Sequence, residues 1–203
     1  MGRVKLRQRT RPFSKRPRIV ADDAKLRELV LFIASLCQGD PSFGAIKLAK
    51  LLFFADFLAY ARFGKPITGQ EYHALEFGPA PKRLKFILSQ MVREKAAGIQ
   101  HEEVFAYERE RVVPLRGALV GAFTPEEVAL TSQLVRAWWG RTADEISGFS
   151  HRVVGWRTAK RRETISYSTA LVGTRPPTDS EREWGLNLEQ FARQCLKDVQ
   201  PTA

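Results

Sequence analysis

The residues able to do chemistry are few and scattered. His73, His101 and His151 stand far apart, and none falls in HExxH, HxH or a Cys/His spacing suited to zinc. No metal and no cofactor are expected. Cys37 and Cys195 form no CxxC pair and sit among apolar helical neighbours, so they read as small core residues in a reducing cytoplasm. The sequence has no GxxxxGK[ST] loop, no GxGxxG after a strand and no GxSxG elbow. Glycines in "FGKPITG" and "FGPAP" read as turn formers. The carboxylate pairs Glu102/Glu103 and Glu126/Glu127 read as solvated or helix-capping. On these grounds the chain is expected not to be an enzyme.

One stretch stands apart. "KLAKLLFFADFLAYARF" is apolar almost all round, yet carries Lys47, Lys50 and Asp56. Leu52, Phe53, Ala59 and Tyr60 surround Asp56 on its helical face. A buried carboxylate without a partner costs several kcal/mol, on the order of a lost ion pair. Asp56 is therefore expected to pair with an Arg, a Lys or the "SHRVVGW" segment; the sharper alternative is a general base with a raised pKa. Glu76, further on, looks buried. His151 follows an apolar helical segment, near a helix C-terminus where positive charge is favoured, and reads as a satisfied core histidine. Trp156, after Gly155, reads as an anchor on the core. Trp138 and Trp139 are adjacent and cannot both face inward, so one is a candidate interface residue.

The elements that position these residues follow from periodicity. Leu26, Leu29, Val30, Ile33, Ala34 and Cys37 make a helical stripe, opened by Asp22 and Asp23 and stopped by Gly39, Asp40 and Pro41. A second helix is predicted over 44–62, with Gly64 as its breaker. "EYHALE" alternates as a short strand that "FGPAP" breaks, and a third helix is predicted over 81–97 with Leu84, Ile87, Leu88 and Met91 inward. "EVFAYERERVVPL" suits one hairpin or two short strands. Capping boxes open helices at Thr124/Glu127 (with Pro125 at the first position), Thr142/Glu145 and Thr178/Glu181. The expected fold is mainly α: a compact helical domain over 21–175 with a small β-hairpin element, then a C-terminal helix over 176–203.

The charge belongs largely to one end. Residues 1–20 hold Arg3, Lys5, Arg7, Arg9, Arg11, Lys15, Arg16 and Arg18 and no acid. Removing those eight charges from the total of +11 leaves +3 for the other 183 residues. With Pro12, Pro17 and few apolar residues, this tail is expected to be disordered and is a candidate nucleic-acid contact. Acidic residues from Asp22 onward argue against a signal peptide, while an Arg-rich, acid-free tail stays compatible with a transit peptide. A hydrophobic fraction of 44% suffices for a core, and no run approaches the roughly 18 apolar residues of a membrane span.

Taken together, "IKLAKLLFFADFLAYARFGKPITGQEYHALEFGPAPKRL", the later "ISGFSHRVVGW" and "ISYSTAL" resemble the SocA-like antitoxin family, the Panacea domain. The matching positions are Lys47, Lys50, Leu51, Leu52, Asp56, Gly64, Pro66, Ile67, Gly69, Gly78, Pro79, His151 and Trp156. The likeness covers about residues 24–172; Phe149 stands where Leu is common before Ser-His. The resemblance implies a helical, cytoplasmic antidote that binds and neutralises a cognate toxin protein encoded beside it, in some members as an adaptor to a cytoplasmic protease. It further implies that Lys47, Lys50, Asp56, Gly78, Pro79, His151 and Trp156 form a frame or a partner-binding set. Nucleic-acid binding through the tail is the alternative function.

Overall fold

A computed structural model describes residues 19–104 and 107–173. The basic tail and the predicted C-terminal helix, with Cys195 and Trp184, lie outside the described residues. Helix α1 spans Asp23–Leu36 and opens where the Asp22 carboxylate accepts from the Lys25 amide at 2.8 Å. Helix α2 spans Ala45–Phe63 and closes on Gly64, whose φ of +74° suits a residue without a Cβ. The hairpin of β1 (Tyr72–Leu75) and β2 (Gly78–Pro81) follows, then α3 (Leu84–Arg93). A longer hairpin pairs β3 (Ala97–Val104) with β4 (Tyr107–Pro114). The two capping boxes open α4 (Pro125–Ala137) and α5 (Ala143–Ser150); short α6 (Val154–Thr158) and a 3-10 turn at Tyr167–Leu171 complete the described chain.

The mainly helical fold is as expected, with two hairpins where the sequence suggested one. "FGPAP" does not break the strand pattern. It is the return strand: Leu75 pairs with Gly78 and Tyr72 with Pro81 across a two-residue turn. Proline is tolerated there because the missing N–H falls in a ladder of only two strands. Pro81 in that ladder delays α3 to Leu84, and Lys95, in the left-handed region at φ +54°, ends it before Ala97 enters β3. Glu76 is exposed at the hairpin tip, 3.1 Å from Arg161.

Helix α2 is the axis of the core, with α1, α4, α5, β2 and the 3-10 turn packed around it. Leu48, Leu51, Leu52 and Phe53 are fully buried, each adding about 1.5–3 kcal/mol. The first hairpin is held from its other side by a distant segment. Arg162 donates to the Ala74 carbonyl at 2.8 Å, Ala74 to that of Glu163 at 3.0 Å, and Ile165 to that of Tyr72 at 2.8 Å. Residues 162–165 thus cover an edge that would otherwise expose unpaired backbone.

Candidate functional site

The charges of α2 occupy three separate stations. At the first, Lys47 Nζ lies 2.6 Å from Asp40 Oδ2, with the side chains 1% and 0% exposed. Lys47 also donates to the Arg141 carbonyl at 2.7 Å, and Asp40 Oδ1 accepts the amides of Ser42 at 2.9 Å and Gly140 at 3.3 Å. This pair fastens the α1–α2 turn to the α4–α5 turn. Arg111 binds the same turn from β4, donating to the carbonyls of Cys37 at 2.8 Å and Gln38 at 2.6 Å.

The third station, Asp56, has no cationic partner, contrary to expectation. It is fully buried and accepts from the Thr68 amide at 2.6 Å, the Thr68 hydroxyl, Tyr72 Oη at 2.8 Å and Tyr167 Oη at 3.3 Å. "SHRVVGW" does not reach it. Each tyrosine hydroxyl has one proton and two acceptors in reach: Tyr72 also faces the Leu52 carbonyl at 2.9 Å, and Tyr167 the Gln70 carbonyl at 2.7 Å. Burial raises the Asp56 pKa, against the opposing effect of its hydrogen bonds from Thr68, Tyr72 and Tyr167. Burial, then the facing Asp56, holds both tyrosines far above the usual phenol range.

The middle station gathers most of the remaining motif. Lys50, 2% exposed, donates to the Pro79 carbonyl at 3.1 Å, and burial lowers its pKa to about 8. Gly78 sits at φ +90°, where a Cβ would meet Lys50 Cε at 2.8 Å and crowd the Ser150 hydroxyl. Next to Ser150, His151 caps the C-terminus of α5 and stacks on Trp156, ring centres 4.0 Å apart and planes 17° apart. Trp156 Nε1 donates to the Leu75 carbonyl at 3.0 Å, so the stack clamps the first hairpin. The histidine is not the satisfied, charge-favouring residue expected. Its Nε2 has no partner among the described residues, and burial followed by the Lys50 charge lowers its pKa.

Lys50, Gly78 and Pro79, all buried, and the half-buried His151 and Trp156 therefore form one cluster joining α2, β2, α5 and α6, while Lys47 and Asp56 brace other parts of the same helix. The arrangement fixes loops and the hairpin around α2. Of the tryptophan pair, Trp138 is half-buried against Phe54 and Phe149, and Trp139 is exposed. His101 faces Glu108 across the second hairpin at 2.7 Å, and His73 lies in β1. No group of three or more His, Cys, Asp or Glu that could hold a metal occurs among the described residues. Nor is any described helix long and apolar enough to cross a membrane.

Sequence reasoning missed Asp40, read only as a helix stop, and Thr68, Tyr72 and Tyr167. The one signal for these was the presence of buried charges on α2, which demanded partners without naming them.

Residues 48–157 match the family model described as "Antitoxin SocA-like, Panacea domain". The match takes in the whole middle cluster and Asp56 but leaves out Lys47, Asp40 and Tyr167. No curated protein and no solved structure matches the chain.

Proposed function

Since the chain belongs to the SocA-like antitoxin family (Panacea domain), we propose that it binds and neutralises a toxin protein encoded beside it. The carrying observation is the family match across 48–157, which takes in Asp56 and the cluster of Lys50, Gly78, Pro79, His151 and Trp156 around α2. In this reading the protein acts by contact rather than catalysis. The frame residues hold the scaffold, and the toxin is read by the surface built on it. Lys47, Lys50 and Asp56 are too deeply buried to touch a partner directly, so their part is to fix the loops that do.

The test is growth. The adjacent open reading frame is induced alone and together with this protein, and the pair is run on size-exclusion chromatography. Arrest that this protein relieves, with co-elution, supports neutralisation by binding. Relief with loss of the toxin, dependent on a protease, places the protein as an adaptor for degradation. Absence of arrest removes the antitoxin reading.

The charge of residues 1–20 favours a second reading, a salt-dependent and largely sequence-blind contact with nucleic acid. Retention on DNA or RNA at low salt that disappears on deleting residues 1–18 supports it; unchanged retention refutes it.

A further inference from the structure

The polar frame ends on a surface of its own. Trp156 donates to the Leu75 carbonyl at 3.0 Å, and residues 162–165 bind the same strand along its edge, so the hairpin tip and α6 are fixed side by side. Helix α6 in turn lies hard against the segment that follows: a Cβ at Gly155 would crowd the Thr169 hydroxyl and meet Ile165 Cγ2 at 2.6 Å. Between tip and helix opens a cleft of about 400 Å³, lined by the apolar Leu75, Trp156 and Ala159 and by the charged Glu76, Arg157 and Arg161.

Two observations mark this surface as one that meets a partner. The first is Phe77, at the tip beside Glu76. At 66% it is the most exposed aromatic side chain among the described residues, and Leu75, two residues back, is 38% exposed. The turn does not call for it: the positive φ falls on Gly78, and hairpin turns otherwise favour small polar residues. The second is charge. Arg152, Arg157, Lys160, Arg161 and Arg162, all exposed, put five cations and no acid into residues 152–162. Residues 21–203 carry a net +3, and without these five charges they would carry −2. Of the five, only Arg161 has an acid in ion-pair range among the described residues, Glu76 at 3.1 Å. That pair is too open to water to hold strongly.

An aromatic anchor flanked by spare arginines has the make-up of a protein interface. A phosphate backbone fits it less well, because Glu76 stands in the cleft and would repel it. Building on the reading of this chain as an antitoxin, we infer that the first hairpin's tip and residues 152–162 dock the toxin. Phe77 enters an apolar recess on that protein, and the arginines meet acidic side chains around the recess. The buried frame holds this face ready, so little ordering is left for the encounter. Charge pairs of this kind make the encounter fast and sensitive to salt.

The purified product of the adjacent open reading frame is titrated with the full chain at about 50 and 300 mM salt, beside the growth assay. Phe77→Asp is expected to weaken binding at least about thirtyfold, the loss of a hot spot, and to abolish relief of arrest. Arg157→Glu/Arg161→Glu should weaken it about tenfold or more at low salt and flatten the salt dependence of the parent. Leu119→Asp, at a position 65% exposed between β4 and α4, should change neither. Melting within about 4 °C of the parent identifies the folded variants, and the arginine pair carries the test where Phe77→Asp does not fold. Failure of the parent to bind or to relieve arrest overturns the antitoxin reading and this site together. Parental binding that survives both substitutions within about twofold overturns the site alone, as does an equal loss in Leu119→Asp. Loss of retention on DNA with toxin binding intact would assign the arginines to phosphate. A dimer of this chain that Phe77→Asp dissolves, toxin binding again intact, would assign the tip to self-association; either result overturns the inference.

Discussion

The Asp40–Lys47 pair offers the sharpest test of the frame. Asp40→Ala leaves the Lys47 ammonium, 1% exposed, with only the Arg141 carbonyl at 2.7 Å. It also strips the Ser42 and Gly140 amides of their acceptor. Breaking one side of a buried pair is destabilising by about 3–5 kcal/mol. For a domain of this size that corresponds to a fall in Tm of roughly 6–20 °C. Lys47→Met, which keeps the volume and removes the charge, is expected to lose a similar amount by stranding the carboxylate. In Asp40→Asn/Lys47→Met, the amide oxygen still accepts from Ser42, neither charge is left alone, and the loss should shrink to about 1–2 kcal/mol. Chemical denaturation of the four proteins gives the coupling directly. Single variants within 1 kcal/mol of the parent, or a double variant that loses the sum of the singles, would refute the claim that this pair acts as a unit.

Three further outcomes are expected. Gly78→Ala places a Cβ at φ +90° against Lys50 and Ser150, and should lower stability by about 1–3 kcal/mol in urea denaturation; a neutral substitution would mean the hairpin shifts freely. Lys50 carries a folded pKa of about 8 against an ordinary 10.5, so between those values the unfolded chain binds the extra proton and stability rises with pH. The gain is on the order of 2–3 kcal/mol from pH 8 to 10, and Lys50→Met should abolish it. Asp56 has the opposite sign: its folded pKa is raised, so its contribution is present below pH 4 and lost as pH climbs through the folded value. Asp56→Asn should flatten that slope in the acid limb of a pH–stability profile, and an unchanged slope would place the titration elsewhere.

The helices were legible because their signals are local. Thr124/Glu127 and Thr142/Glu145 cap within three residues, and both capping boxes are present as read. The α1 stripe and the Gly64 stop are likewise written in nearest neighbours. Partnerships across the chain leave no such mark. Asp40 looked like punctuation because nothing in its neighbourhood says that a lysine seven residues on will turn back to it. Asp56 was assigned a cation on the ground that buried carboxylates want one, whereas three hydroxyls and an amide serve, from as far away as Tyr167. The second hairpin strand hid behind its prolines, whose usual meaning is a break. Of the motif residues, those on α2 could be seen as charges out of place. Their convergence with Gly78, His151 and Trp156 depends on how four elements pack.

The late segment that covers the first hairpin also sets a timetable. Asp56 and Tyr167 are 111 residues apart. At about 5–20 residues per second, the ribosome needs roughly 6–22 s to make the second after the first. During that interval α2 is complete, but its buried acid lacks one of its hydroxyl partners, and the β1 edge is bare. A nascent or prematurely ended chain therefore carries an open strand edge and an unfinished core. Folding competence arrives late in synthesis, with residues 162–167, and any protein that must act as soon as it is made inherits that delay.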